Sequence, residues 1–296
     1  MEKKEKFVLS LARFIVLMAK RLPDDVVSAL TALRNSETSP SASAVYDSMF
    51  HNLEEAKRLD RPICQDTGLI QIFAKVGTSF PFIDDLEGLL TEAVRIASLT
   101  APLRPNVVEP FAERNTGNNI GTRAPWIEYE LEPRSSGLEL TIYMAGGGCS
   151  LPGRAKVLTP SAGYRGMAEF VLETVATLGV NACPPLTVGV GIGTCAPSAA
   201  KLSKKAVLRP VGSRNPDPAI AKTEQMLEDA LNHIGIGPQG LTGAKSVTGV
   251  QIEAAARHPA AFAVGVSVGC WVHRRGIVRF DRYMAANSPT HSEAKL

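Results

Sequence analysis

The chain holds 296 residues, 45% of them apolar and 21% charged, a balance that excludes a disordered or fibrous protein and lets about three quarters of the unfolded surface be buried. Lys and Arg number 32 against 29 Asp and Glu, and a net charge of +3 is too small for a protein that wraps nucleic acid or coats an anionic membrane. No apolar run approaches the ~20 residues needed to span a bilayer. The stretch Phe7 to Ala19, broken by Ser10 and Arg13, reads as an amphipathic helix rather than an export signal, so a soluble, cytoplasmic protein is expected.

The N-terminal region predicts further helices, their starts marked by Pro23 before Asp24 and Asp25, by Ser39 before Pro40, and by Asp84 and Asp85. Leu69 to Val76 reads as a short strand directly after Cys64-Gln65-Asp66-Thr67-Gly68, which places Cys64 in a turn. Trp126 to Leu131 and Leu138 to Met144, separated by the turn-rich Glu132 to Gly137, predict a β-hairpin. After the loop Gly146-Gly147-Gly148 come a helix from Gly163 to Leu178 and a buried strand from Leu186 to Ile192. A long helix follows, opened by Asp217-Pro218 and closed by Gly235. Ser246 to Phe280, rich in Val, Ile, Ala and Gly, predicts several strands, one ending at Gly269-Cys270. The expected fold is mixed α/β (α+β), a helical N-terminal region packed on a mixed sheet. It forms one domain over residues 1–284, and the polar residues 285–296 form a frayed tail.

Cysteines stand at 64, 149, 183, 195 and 270, an odd number without an export signal, which argues against a disulfide framework and leaves thiols for metal. Common site motifs fail their context tests. Gly235-Ile236-Gly237-Pro238-Gln239-Gly240 has dinucleotide-binding spacing but follows a helix and contains Pro238, and Gly243-Ala244-Lys245-Ser246 lacks the order of a phosphate loop. Cys64, Cys183 and Cys270 each lie among small or ring-locked neighbours, where a thiolate has room to reach a bulky inorganic cluster. Their separations are far wider than the few residues of a ferredoxin-like run, so the fold itself must assemble any joint site. Three thiolates on a four-iron cube leave one iron without a protein ligand, the open position of a catalytic metal. Cys195, at a helix start after Gly193-Thr194, reads as a small buried side chain. Cys149, after the triple glycine, is either a ligand or part of an anion-binding backbone loop. Residue chemistry alone leaves the choice among Cys64, Cys149, Cys183 and Cys270 open.

The segments Ile63 to Gly68, Asn115-Thr116-Gly117-Asn118, Met144 to Cys149, Ala182-Cys183-Pro184-Pro185, Gly235 to Gly243 and Gly269-Cys270-Trp271 together resemble the class I iron–sulfur fumarases and tartrate dehydratases. Leu22 to Val27, Gly148 to Arg154 and Cys270 to Gly276 are most similar to the two-subunit tartrate dehydratases within that group. The resemblance implies a 4Fe-4S cluster held by Cys64, Cys183 and Cys270 with one iron open to substrate, Cys149 being a lining residue. It implies trans elimination of water from a hydroxy-dicarboxylate, L(+)-tartrate to oxaloacetate ahead of malate and fumarate. Asp66 falls at the catalytic base, and Gln65, Arg104, the Gly147 backbone and His258 fall at substrate contacts. These types suit the chemistry, because a weakly acidic carbon needs a positioned base and a dianion needs bidentate cations.

Asn118 and Lys245 are further candidates, by their places in glycine-rich loops. The basic run Lys201, Lys204, Lys205 and Arg209 has helical spacing and reads as a solvated or subunit-facing surface, and His273-Arg274-Arg275 suits either use. Single-chain class I fumarases carry a further C-terminal domain that supplies the opposite acid, and 296 residues leave no room for it. A smaller beta subunit, in a heterotetramer of two alpha and two beta chains, is expected to complete the pocket. Competing readings are a non-catalytic iron–sulfur scaffold or electron carrier, and a zinc-binding structural subunit.

Overall fold

A computed structural model describes residues 2–296. In chain order its helices are α1 (Glu2–Lys20), α2 (Asp24–Ser36), α3 (Pro40–Arg58), α4 (Leu86–Thr100), the single turn α5 (Gly147–Ser150), α6 (Gly163–Leu178), α7 (Ala196–Val207) and α8 (Pro218–His233). Its strands are β1 (Leu69–Gly77), β2 (Val108–Glu109), β3 (Arg114–Asn115), β4 (Trp126–Glu132), β5 (Leu138–Ala145), β6 (Arg154–Leu158), β7 (Leu186–Gly193), β8 (Val247–Ala254), β9 (Phe262–Gly269), β10 (Arg275–Phe280) and β11 (Ala286–Asn287). The chain divides into two compact units, the first made of Met1–Asp24, Asn52–Gly146 and Arg274–Leu296, the second of Asp25–His51 and Gly147–His273. Neither unit is a continuous segment of the chain. Each carries its own mixed sheet, as the α/β expectation requires.

In the first unit the strand order is β11-β10-β5-β1-β4. The predicted β4–β5 hairpin does not form, because β1 lies between the two strands, parallel to β4 and antiparallel to β5. Ile70, Ile72, Ala74 and Val76 on β1 are buried and earn it that central place. The 132–137 segment bridges the end of β1 instead: Gly77 N donates to Gly137 O at 2.8 Å, and Thr78 N donates to Glu132 O at 3.1 Å. The apolar faces of α1 and α4 join this strand face in one core around Phe7, Leu11, Phe14, Leu90 and Val94. The frayed tail also needs correction. β11 pairs with β10, Thr290 Oγ1 accepts from Ile277 N at 3.0 Å, and His291, only 2% exposed, stands edge-on to Phe14. Polar residues there complete backbone donors of the sheet margin, which is why composition misjudged them.

In the second unit the order is β6-β9-β7-β8, with β7 parallel to β8 and antiparallel to β9. Val188, Val190 and Val264 meet Met167, Val171 and Val175 of α6 and Leu227 and Leu231 of α8 in a second core. The other sheet face is almost bare of side chains, because Gly189, Gly191 and Gly265 let the α7 backbone approach. A Cβ at Gly191 would stand 2.0 Å from Ala199 O. Asp217 caps α8, its Oδ1 accepting from Ala219 N at 2.8 Å, and Gly235 closes it at φ +73°, both as predicted. The solvated-surface reading of the basic run is corrected at Arg209, whose Nη1 donates at 2.8 Å to the fully buried Glu224 carboxylate. Ile252 N and Asn215 N also donate to that carboxylate. Among the described residues, no helix is long and apolar enough to cross a membrane.

Candidate active site

In the first unit, residues 64–68 link α3 to β1 through a bend, and Gly68, at φ +82°, lets the turn lie against the Met144–Ala145 backbone of β5. Asp66 Oδ1 accepts from Gly68 N at 2.9 Å and from Asn106 Nδ2 at 3.0 Å. Its Oδ2 lies beside Gly146, where a Cβ would come within 2.9 Å of it. Arg104, exposed after α4, donates from Nη1 to Gln65 Oε1, and its backbone N donates to Thr67 Oγ1 at 2.9 Å. The turn and the Arg104–Asn106 segment are therefore buttoned together, bringing Gln65, Asp66 and Arg104 into one polar cluster. The sequence reading passed over the residue that secures it. Asn119, buried and at φ +62°, accepts Asn106 N at 2.8 Å and donates to Arg104 O at 3.2 Å and Ser98 Oγ at 3.1 Å. An Asn-Asn pair is a signal for a left-handed residue and would have pointed there. Its neighbour Asn118 accepts from Ile120 N at 3.1 Å, shaping a local turn.

In the second unit, Cys183 precedes β7 and Cys270 follows β9. Because those strands run antiparallel with Thr187 opposite Gly269, both cysteines stand at the same end of the sheet. Trp271 N donates to Cys183 O at 3.2 Å, and Cys183 itself is exposed at φ +53°. The rejected dinucleotide-like segment supports this end: Gln239 N donates to Pro184 O at 2.9 Å. Gly147 opens α5, and Gly148 packs so closely that a Cβ would lie 2.6 Å from Asn181 O. The predicted glycine loop is thus partly a helical turn. Lys245, half-buried, precedes β8 at this same end.

His258 is placed elsewhere. It sits, exposed, on the connection from β8 to β9, at the opposite end of the sheet from Cys183 and Cys270. Its Nδ1 accepts from Ala260 N at 3.1 Å. Strands of 8 residues at ~3.3 Å per residue put about 20 Å or more between that connection and the two cysteines, so this chain does not bring His258 to them. Cys195 is also at that far end, and it is exposed rather than buried. It caps α7, and hydrogen bonds from Ser198 and then Thr194 hold its thiol below the ordinary cysteine pKa.

The donor set and its charges fit an iron–sulfur cluster. None of the five cysteines is in a disulfide, as thiolate ligation requires. Among the described residues, no group of three or more His, Cys, Asp or Glu side chains is arranged to hold a single metal ion. Arg274, 1% exposed, donates from Nη2 to Asp66 O at 2.7 Å, while its Nε and Nη1 find no hydrogen-bond partner among the described residues. Arg275 beside it is fully buried. Burying the Arg274 guanidinium costs several kcal/mol unless negative charge compensates, and a thiolate-ligated cluster would supply negative charge.

The chain belongs to the fumarate hydratase (fumerase) family, a family of iron–sulfur hydro-lyases whose model matches residues 9–279. Among individual relatives, the L(+)-tartrate dehydratase subunit alpha of Escherichia coli (strain UTI89 / UPEC) is 51% identical over 285 residues, 96% of this chain and 94% of that protein. The same-named protein of Escherichia coli (strain K12) is 50% identical over the same shares. A putative L(+)-tartrate dehydratase subunit alpha of Methanocaldococcus jannaschii is 38% identical over 261 residues, 87% of this chain and 92% of that one.

Proposed function

We propose that the chain is the cluster-bearing alpha subunit of a two-subunit hydro-lyase that dehydrates L(+)-tartrate to oxaloacetate. The observation that carries this reading is the 51% identity, across 96% of the chain, to a protein named L(+)-tartrate dehydratase subunit alpha. In this reading Cys64, Cys183 and Cys270 hold a 4Fe-4S cluster, which with one iron open supplies Lewis-acid activation of the substrate hydroxyl and a carboxylate.

The remaining chemistry falls to side chains of this chain. Asp66 takes the proton from the carbon next to the departing hydroxyl, a role worth ~10²- to 10⁴-fold in rate. Its carboxylate plane is set by Gly68 N and Asn106 Nδ2. Arg104 binds a substrate carboxylate, with Gln65 orienting the guanidinium and the Gly147 backbone adding a contact. The C–H proton passes to Asp66, the hydroxyl leaves as water, and the enol formed tautomerises to the keto acid. His258 stands outside this set. A beta subunit, in a heterotetramer of two alpha and two beta chains, supplies the opposite acid. Five cysteines outside any disulfide suit a reducing compartment, and we place the protein in the cytoplasm.

Anaerobic reconstitution with iron and sulfide, with and without the co-expressed partner, tests the reading. L(+)-tartrate should exceed malate in kcat/KM by about tenfold or more, since a site that hydrogen-bonds an extra hydroxyl discriminates strongly against its absence. Equal or better turnover of malate would assign the chain to the alternative, the alpha subunit of a two-subunit class I fumarase. A full rate from the alpha chain alone would overturn the two-subunit part.

A further inference from the structure

Two arginines hold the 64–68 turn of the first unit, and they differ in their access to water. Arg104 is exposed, so a diffusing dicarboxylate can reach its guanidinium, and it donates from Nη1 to Gln65 Oε1. Arg274 is 1% exposed and donates from Nη2 to the Asp66 carbonyl at 2.7 Å. Its own carbonyl accepts from Met144 N at 2.9 Å, so one residue joins the end of β5 to the turn that carries Cys64 and Asp66.

A guanidinium stays charged at every accessible pH. The bond this one makes goes to a neutral carbonyl, and its Nε and Nη1, shielded from water, find no hydrogen-bond partner among the described residues. A buried cation left in that state is costly, and a substrate that comes and goes does not reach it. A resident negative charge can offset it through the interior, where charges act on one another far more strongly than in water. In the reading above that charge belongs to the cluster bound through Cys64, two residues before Asp66. We propose that Arg274 is a positioning residue with two separable effects: its planar fork fixes the Asp66 backbone, and with it the base, while its charge offsets the cluster and makes the cluster easier to reduce. The inference rests on the cluster assignment made above. It goes further in giving Arg274 a role in kcat and in the reduction potential, which follows the charge around such a cluster.

The test uses the chain in complex with its co-expressed partner, reconstituted anaerobically as wild type, Arg274→Lys and Arg274→Met. Iron content, a reductive titration followed by electron paramagnetic resonance, and kinetics on L(+)-tartrate are measured on each. Arg274→Met should make the cluster about tenfold harder to reduce, a fall of ~59 mV for one electron, whereas Arg274→Lys keeps the charge and should leave the potential near wild type. Both variants should lose kcat by about 10- to 100-fold, because a point charge does not replace the fork and a shift of the base by about 1 Å is enough for such a loss. KM should change little, since Arg104 meets the substrate. An unmoved potential in Arg274→Met, or an unchanged kcat in Arg274→Lys, overturns the proposal. A raised KM with unaltered kcat would make Arg274 a substrate ligand and overturns it equally. Should Arg274→Met lose its fold, Arg274→Gln, which removes the charge and keeps a donor, carries the potential measurement. A wild-type complex that forms no cluster defeats the cluster assignment and this inference together, whereas a cluster indifferent to all these substitutions defeats this inference alone.

Discussion

The two units place their chemistry by different means. In the first, Gln65, Asp66 and Arg104 are held by side chains that bond one another and the backbone, with Asn106 and Asn119 as fasteners. In the second, Cys183 and Cys270 are placed by backbone alone, at the facing ends of two antiparallel strands whose glycines admit α7. Side-chain networks tolerate the loss of a functional group without loss of fold, whereas backbone placement leaves no atom to remove without moving the frame. Function and stability should therefore separate cleanly under mutation in the first unit and poorly in the second.

Asp66→Asn gives the largest expected effect: kcat falls by ~10²- to 10⁴-fold while iron and sulfide content stay at wild-type level. Loss of iron in that variant would break the contrast, making the network structural. Gly191→Ala in the second unit should lower stability by about 3 kcal/mol, since its Cβ would stand 2.0 Å from Ala199 O, and iron retention should fall with it. Denaturant midpoints together with iron analysis check both halves of that statement. Arg104→Ala should raise KM for the dicarboxylate by about 10- to 100-fold with an unchanged melting curve, because the side chain is exposed and its loss strips a charged hydrogen-bonding partner from the substrate.

The smallest effect sharpens the picture of the tail. Burial depresses the His291 pKa below its ordinary 6.5, so as pH falls the unfolded chain takes up the proton first. The contribution is complete above about pH 6.5 and is lost as pH drops toward the folded value. Denaturant midpoints measured from about pH 8 to 5 should fall less steeply in His291→Gln than in the wild type.

Much of this was legible residue by residue. Asp217-Pro218 and Gly235 marked the ends of α8, and Gly163 to Leu178 is a helix over the predicted span. The turn at Cys64 followed from the strand beginning at Leu69. The candidate site was legible only in part. Gln65, Asp66 and Arg104 do form one cluster, but they meet through a backbone amide and two asparagines that no spacing rule connects. The position of His258 was not legible, because a motif has no direction across a sheet, and only strand order shows that the β8–β9 connection lies at the far end from Cys183 and Cys270. The hairpin failed for the same reason. β4 and β5 are adjacent in sequence, yet a third strand with a better apolar face separates them.

The amino-acid order on its own determined where the main helices and the strands β1, β4, β5 and β7 lie, and which residue types could manage a proton and a carboxylate. Those properties come from caps, periodicity and intrinsic reactivity, which act over a few residues. Strand order, the shared end reached by Cys183 and Cys270 and the burial of Arg274 against Asp66 were decided by tertiary structure. They depend on pairings between segments far apart in the chain, whose free energy exists only once both partners are in place.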